Sequence, residues 1–276
     1  MLVNLKEILD IAEKGKFAIP AFNVYNMETV MGIVEAAEEA KAPVIIQSYS
    51  RLFTSKEAYY LAPIVLAAAK KASVPICFHL DHGAGYTEVA KAVRYGASGV
   101  MIDASSYDFD KNVEITKKVC HLCNELNIPV EGELGHIGSA ANGDENAEYT
   151  KVDEAVRFVK ETNVACLAIM VGTAHGYYKQ APKLAIDRIR EIKEATNIPL
   201  VLHGGSGIPD DQIVSAIEAG IRKINFGTDI CYAFLDNVFA TERTTYAIDL
   251  FMKKTIEGIK QFAISKIKLL GAENKA

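Results

Sequence analysis

The sequence lacks any long uninterrupted run of apolar residues. No segment approaches the ~20 residues that a helix needs to cross a bilayer, although half of the chain is apolar. The amino end, Met-Leu-Val-Asn-Leu-Lys-Glu, also lacks the basic and apolar regions of a signal peptide. We therefore expect a soluble, cytoplasmic protein that does not enter the membrane.

The sequence also lacks a large excess of either positive or negative charge. The chain has 30 basic and 35 acidic residues, a net charge of −5, and the charges are spread along its length. Proteins that bind nucleic acid concentrate lysine and arginine on one surface. We therefore expect no nucleic-acid partner.

Cysteines are few and form no framework. There are five, an odd number, and most lie inside apolar runs. Cys120 and Cys123 form a CxxC motif, but the surrounding pattern is helical and no second pair follows, so we interpret both as core residues. Reduced thiols are typical of the cytoplasm.

What the chain does contain is a strand-then-helix rhythm that repeats eight times. Near-continuous apolar runs, several opening with proline, predict strands that are buried on both faces; they lie at residues 17–23, 43–47, 75–80, 99–103, 129–133, 166–171, 199–202 and 223–226. Apolar residues at i, i+3 and i+4 predict helices between them, at residues 28–40, 55–72, 86–95, 110–126, 152–162, 186–195 and 210–219. This rhythm predicts an α/β fold, a (β/α)₈ TIM barrel, for which ~250 residues are usual.

Two further helices flank the eight units. Residues 5–12 predict a short capping helix before the first strand, and residues 246–270 an extra amphipathic helix after the last unit. That last helix is expected to pack either on the barrel or on a neighbouring subunit, and we expect a homodimer or homotetramer. No linker interrupts the chain, so residues 1–276 are predicted to form a single domain.

Polar residues follow the predicted strands, where a barrel of this class builds its active site. The strand-end candidates are Asn23, Gln47, Asp81, His82, Asp103, Glu133, His175 and Asn225, together with the glycine-rich turns at 204–207 and 227–229.

Three of the six histidines, His82, His175 and His203, follow apolar strands. Any one of them alone would be an ordinary core or helix-capping histidine. Buried strands rarely tolerate an imidazole without a partner, however, so three together indicate a shared one. Three protein ligands and an open position define a catalytic zinc site, and we predict zinc here.

Carboxylates accompany these histidines. Asp81 directly precedes His82, so its side chain is predicted to face the same cleft and to move a proton there. Asp103 and Glu133 are predicted either to partner the histidines or to form an alternate metal site. His79 is expected either to support these ligands from behind or to lie in the barrel interior.

Glycine-rich turns after the seventh and eighth strands stand where barrels commonly hold a phosphate. Their backbone N–H groups can approach an anion closely, and two hydroxyls and a lysine can add donors and charge. The residues predicted to bind substrate or phosphate are Asn23, Lys179, Gly204, Gly205, Ser206, Gly227 and Thr228.

An imine mechanism would need a lysine on a barrel strand. The two lysines that touch predicted strands, Lys16 and Lys223, lie at the amino-terminal ends. The pattern therefore favours metal chemistry.

In these motifs the chain resembles the class II, zinc-dependent ketose-bisphosphate aldolases, the fructose- and tagatose-bisphosphate aldolase family. Seven collinear motifs carry the resemblance: PAFN at 20–23, HLDHG at 79–83, MID at 101–103, EGELG at 131–135, GTAHG at 172–176, LHGGSG at 202–207 and KIN at 223–225.

The resemblance implies reversible aldol cleavage of a ketose 1-phosphate or a ketose 1,6-bisphosphate, which yields dihydroxyacetone phosphate and an aldehyde. It implies zinc on the three histidines, Asp81 as the acid/base at the C4 alkoxide and Asn225 beside the enediolate. It further implies a sodium or potassium ion near the phosphate. The residues implied to hold the phosphate are Gly176, Gly204, Ser206, Gly227 and Thr228.

The loop after the fifth strand departs from the family pattern. The family has one or two glutamates there that take the triose proton, and this chain has Ala140 and Ala141 at those positions. Asp144 and Glu145 follow closely, and either is a candidate substitute.

The contacts to the distal phosphate depart as well. Tyr49 stands at the position of the family's serine or threonine, and Ile256 at that of its late arginine. Arginine–phosphate contacts are strong and charge-assisted. We therefore expect an aldehyde half that lacks a phosphate.

Two other functions fit part of the pattern. A metal-dependent epimerase or lyase could use Asp81 and Glu133 as paired bases, and a sugar-phosphate binder could have lost its loop base. Intact zinc ligands beside Asp81 speak against a protein that only binds.

Overall fold

Eight parallel strands form a closed barrel in which each strand pairs with the next along the chain and β8 pairs with β1. The computed structural model describes residues 1–138, 148–176, 178 and 181–276. The strands are β1 (Ile19–Asn23), β2 (Val44–Tyr49), β3 (Ile76–Gly83), β4 (Gly99–Ile102), β5 (Val130–Leu134), β6 (Cys166–Ile169), β7 (Leu200–Leu202) and β8 (Ile221–Phe226). The predicted (β/α)₈ barrel is confirmed.

Helices surround the barrel on its outer face. They are α1 (Leu5–Gly15), α2 (Met27–Glu39), α3 (Ser50–Thr54), α4 (Glu57–Lys71), α5 (Tyr86–Arg94), α6 (Phe109–Glu125), α7 (Val152–Thr162), α8 (Ile186–Thr196), α9 (Asp210–Ala219), α10 (Thr228–Phe239) and α11 (Ile248–Leu269). The strands are buried nearly throughout, because helices cover one face and side chains fill the barrel on the other.

The α1 helix closes the amino-terminal end of the barrel. It begins with a capping box, in which the Asn4 side chain accepts from the Glu7 N–H and the Glu7 carboxylate accepts from the Asn4 N–H. Leu5, Ile8 and Leu9 are buried against the strand starts. The opposite end of the barrel, where the strands finish, stays open.

The final helix, α11, packs on the barrel between α2 and α10. The approach to α2 is close, because a Cβ at Gly32 would lie 2.7 Å from Ile259 Cγ2. Ile259 and Ala263 are fully buried in this contact. Of the two packing partners expected for this helix, the barrel is the one observed.

Strand and helix ends differ from expectation in a few places. The β3 strand runs on through Asp81 and His82 to Gly83, whereas β4 stops one residue before Asp103. The short α3 was not predicted, and α10 is the helix of the eighth unit, for which no bounds were predicted. Across the described ranges, no helix is long and apolar enough to span a membrane.

Candidate active site

A bulge near the end of β3 turns two consecutive side chains into the mouth of the barrel. The register between β3 and β4 shifts between Leu80 and Gly83, and His82 adopts the left-handed conformation with φ 49°. In a regular strand neighbouring side chains face opposite sides. The bulge lifts this restriction, so Asp81 and His82 both line the same cavity.

The imidazoles of His82, His175 and His203 converge on one point. His82 Nε2 lies 3.1 Å from His175 Nε2 and 2.9 Å from His203 Nδ1. Two imidazole nitrogens bound ~2.0 Å from one tetrahedral zinc ion would be about 3.3 Å apart. The spacing of the three nitrogens therefore fits a shared metal ion, and the group is one that could hold a metal.

The opposite nitrogen of each ring is held by an acceptor. His82 Nδ1 lies 2.8 Å from Asp103 Oδ2, His203 Nε2 lies 2.8 Å from Glu131 Oε1, and His175 Nδ1 lies 3.2 Å from the Ile137 carbonyl. An acceptor requires the proton on that side of the ring, which leaves a lone pair on the nitrogen that faces the centre. Three facing lone pairs call for a cation between them.

Glu133 supplies a second reason to expect a cation. Its Oε2 is buried, has no hydrogen-bond partner among the described residues, and lies 3.9 Å from His82 Nδ1 and 3.8 Å from His203 Nδ1. With His82 and Asp103 it forms a second group able to hold a metal. Ser105 Oγ contacts both carboxylates, at 2.7 Å from Asp103 and 2.9 Å from Glu133.

The pKa values of His82 and His175 are shifted in opposite directions. Burial acts to lower the pKa of His82, but the carboxylates of Asp81, Asp103 and Glu133 outweigh it and raise the pKa to about 9. Burial and the neighbouring His82 lower the pKa of His175 to about 3. Positive charge is therefore favoured at the point where the rings meet, whether a proton or a metal ion carries it.

Asp81 is clamped by two asparagine amides. Asn23 Nδ2 donates to Asp81 Oδ2 at 2.8 Å, and Asn225 Nδ2 donates to Asp81 Oδ1 at 3.2 Å. Burial acts to raise the pKa of Asp81, but the charges of His82, His203 and Lys223 outweigh it and hold the pKa below its usual value. The carboxylate is thus ionised, oriented and 3.9 Å from His82 Nε2.

A buried ion pair joins this clamp to the histidine cluster. Lys223 Nζ lies 2.9 Å from Glu131 Oε2 and donates to Asn225 Oδ1 at 2.7 Å. Glu131 in turn accepts from His203 and lies 3.2 Å from His79 Nε2. Burial acts to raise the pKa of Glu131, yet Lys223 and the two histidines hold it well below the usual range.

The predicted anion pocket lies in the same cavity, beside these groups. Its lining includes Gly176, Gly204, Ser206, Gly227 and Thr228. The α10 helix begins at Thr228 beside the cavity, so its first N–H groups and its dipole favour an anion there.

Gly205 differs from its neighbours in this turn. Its N–H donates to the Asn225 carbonyl at 3.0 Å, and a Cβ there would lie 2.6 Å from Ile224 Cγ2. It lets the turn pack against β8 and offers no free N–H to a ligand.

Tyr178 ties the two loops of the anion pocket together. Its hydroxyl accepts from the Ala174 N–H at 2.8 Å and donates to the Gly204 carbonyl at 3.0 Å. Lys179, Ala140, Ala141, Asp144 and Glu145 lie outside the described residues.

Sequence reasoning missed several residues of this site. Glu131 and Lys223 were seen only as parts of motifs, and Lys223 was placed at the wrong end of its strand to act. Its Cα does lie low in β8, but its side chain reaches up the interior to Asn225. The i, i+2 spacing of Glu131 with Glu133, and of Lys223 with Asn225, was the available signal, because such pairs share one face of a strand.

The chain belongs to the class II fructose-bisphosphate aldolase family, whose model matches residues 3–275. It is therefore an aldolase, a lyase that makes and breaks carbon–carbon bonds, as the motifs implied. Family membership favours catalysis over a role in binding alone.

Individual relatives are similar to this chain over nearly its whole length. The chain is 37% identical over 281 residues to YdjI of Escherichia coli K12, with all of both chains covered, and it superposes on the crystal structure of that aldolase with a TM-score of 0.91 over all of both chains, at 35% identity. It is 36% identical to the sulfofructosephosphate aldolase of Alkalicoccus urumqiensis, covering 99% of this chain and 98% of the relative. A candidate fructose-1,6-biphosphate aldolase from Coccidioides immitis superposes with a TM-score of 0.91 at 26% identity, covering 98% of this chain and 96% of that one.

Lys223→Met tests the buried ion pair. The change leaves the Glu131 carboxylate in the interior without its ammonium partner, so we expect the free energy of unfolding to fall by about 3–5 kcal/mol. Urea denaturation of chelator-treated protein, followed by circular dichroism, measures the loss without a contribution from bound metal.

The matched control is the double variant Lys223→Met/Glu131→Gln. The amide can still accept from His203, and no charge remains to be compensated. It should recover most of the lost stability. A double variant no more stable than Lys223→Met would show that the charge of Glu131 is not the cause.

Proposed function

We propose that this protein catalyses the zinc-dependent, reversible aldol cleavage of a ketose 1-phosphate to dihydroxyacetone phosphate and an aldehyde. The observation that carries the proposal is the meeting of three imidazole nitrogens beside a clamped, ionised Asp81. An anion pocket on the same cavity supports it. Residues 1–276 are proposed to form one aldolase domain.

His82, His175 and His203 would hold the zinc ion, and Asp103 and Glu133 would orient His82 or form an alternate position for the metal. When bound there, zinc would supply Lewis-acid polarisation of the substrate carbonyl. The remaining chemistry belongs to the side chains.

Asp81 is proposed to move the proton at the C4 oxygen. In cleavage its carboxylate would take the proton from the C4 hydroxyl as the C3–C4 bond breaks, and in condensation it would return that proton to the new hydroxyl. The amides of Asn23 and Asn225 hold the carboxylate in one orientation. Asn225, fixed by Lys223, is proposed to steady the enediolate of the triose.

The triose phosphate is proposed to bind at the glycine-lined wall. Gly176, Gly204, Gly227 and the hydroxyls of Ser206 and Thr228 line the cavity there. Lys179 is proposed to add charge, and a sodium or potassium ion to bind nearby.

The aldehyde half is proposed to differ from glyceraldehyde 3-phosphate. Tyr49 and Ile256 replace the family's contacts to the distal phosphate. One of the relatives named above is called a sulfofructosephosphate aldolase, a name that implies a sulfonated sugar phosphate. Both observations support a ketose 1-phosphate whose far end carries no phosphate.

We also propose that the protein works in the cytoplasm as a homodimer or homotetramer. All five cysteines are free thiols. Large apolar side chains at the junction of α10 and α11 are exposed, with Phe239 at 82%, Tyr246 at 91% and Ile248 at 77%. An exposed apolar surface of this kind is typical of an interface between subunits.

Removal of the metal should abolish the reaction. We expect chelator-stripped protein to release dihydroxyacetone phosphate at least about 100-fold more slowly, because the carbonyl is no longer polarised. One equivalent of zinc should restore the rate, as followed in a coupled dehydrogenase assay. Stripped protein that works at full rate would remove the metal from the proposal.

Asp81→Asn should slow turnover by about 10²–10⁴-fold, because the amide cannot accept the C4 proton. Zinc content, measured by elemental analysis, should be unchanged. Asp110→Asn, whose side chain is 77% exposed on α6, is the control. A variant at residue 81 with unaltered kcat would show that another group moves the proton.

The acceptor of the triose proton is proposed to be Asp144 or Glu145. Alanine at the correct position should lower the exchange of the hydroxymethyl proton of the triose, on the carbon that becomes C3 of the ketose, with solvent deuterium by about 10²-fold or more. Proton NMR of dihydroxyacetone phosphate in heavy water reports this step alone. Equal exchange in both variants and in the parent protein would exclude the pair.

A further inference from the structure

The cavity is larger than a triose phosphate needs, and one cationic side chain of its lining comes from a different part of the rim than the glycine-rich turns. Its volume is about 710 Å³. Arg51 is the only permanently charged cation among its described lining residues. It stands just beyond β2, whereas the anion pocket follows β6, β7 and β8.

The backbone holds Arg51 firmly in place. It belongs to α3, whose next two residues, Leu52 and Phe53, are buried in the core. Phe53 stacks on Tyr95, and its carbonyl accepts from Lys91 Nζ at 3.1 Å. A side chain carried on such an anchored turn is well suited to set specificity.

Two tyrosine rings hold the guanidinium at the cavity wall. Its central carbon lies 5.1 Å from the centroid of Tyr49 and 5.7 Å from that of Tyr25, within range of cation–π attraction. Arg51 makes no ion pair with any described residue, and its five N–H donors have no described acceptor. A guanidinium whose donors find no acceptor in the described part of the chain is suited to an oxyanion.

This cation lies close to the reacting end of the cavity. The ring of Tyr49 is 5.7 Å from the ring of His82, so one tyrosine contacts both Arg51 and a proposed metal ligand. A substrate with its triose phosphate at the glycines and its reacting carbons at His82 would extend its other end towards Tyr49 and Arg51.

We propose that Arg51, with Tyr25 and Tyr49, binds a singly charged terminal group, a sulfonate or a carboxylate, on the aldehyde half of the substrate. This inference rests on the proposed function and names the class of its second product.

The charge balance favours a monoanion over a phosphate. One guanidinium neutralises one negative charge, and the nearby carboxylates of Asp81 and Asp103 line the same cavity. The second charge of a phosphate would face these carboxylates without a partner, since the described lining offers no further permanent cation.

The test is a matched set of 2-hydroxyaldehydes that differ only in the terminal group. Condensation with dihydroxyacetone phosphate is measured by kcat/KM for aldehydes whose third carbon carries a hydroxyl, a carboxylate, a sulfonate or a phosphate. We expect one or both monoanions to exceed the hydroxyl and the phosphate compounds about 10-fold or more. The better of the two identifies the terminal group.

Arg51→Met should lower the ratio of kcat/KM for that monoanion to kcat/KM for the hydroxyl compound by about 10- to 100-fold. Arg51→Lys should give an intermediate ratio, because the charge remains and the fork is lost. Arg94→Met, at an exposed arginine of the neighbouring α5 that does not line the cavity, is the control and should keep the parent ratio.

Three outcomes would overturn the inference. They are a preference for the phosphate compound over both monoanions, hydroxyl turnover equal to that of the monoanions, and a ratio that Arg51→Met leaves unchanged. Each would leave the aldol reaction itself standing. Failure of the zinc-loaded protein to condense any of the four aldehydes would instead overturn the proposed function, and this inference with it.

Discussion

The buried ion pair between Glu131 and Lys223 is the interaction on which the rest of the site depends. It lies inside the barrel, where a single charge would be very unfavourable without a partner. From it, one hydrogen bond fixes the ring of His203 and another fixes the amide of Asn225, which then holds Asp81. The orientation of the His203 ring and that of the Asp81 carboxylate are therefore set by one buried pair of charges.

The fold and the chemical residues of the site were accessible from sequence for a simple reason. Parallel strands buried on both faces are continuously apolar, so a polar residue at a strand end stands out. His175 and His203 are found in this way. The rule that barrels build their sites at one end then brings together residues more than a hundred positions apart.

The supporting residues were not accessible in the same way. In the sequence, Lys223 is a lysine near the start of a strand. Its ammonium group reaches Asn225 only because its long side chain extends through the interior of the closed barrel. The five-residue α3 is too short to show a helical period. The position of Arg51 depends on how Leu52 and Phe53 bury, which is a tertiary effect. The left-handed backbone at His82 leaves no trace in a pattern of apolar and polar residues.

The bulge in β3 also limits which parts of this enzyme can change during evolution. Asp81 and His82 are neighbours in the chain, and both face the cavity because of the bulge. A one-residue insertion or deletion in this strand would therefore misplace both side chains together. His175 and His203 sit on separate strands with independent loops. New substrate specificities in related barrels should therefore arise from sequence changes at the β2 rim around Tyr49. The loop there can change while the residues around His82 stay the same.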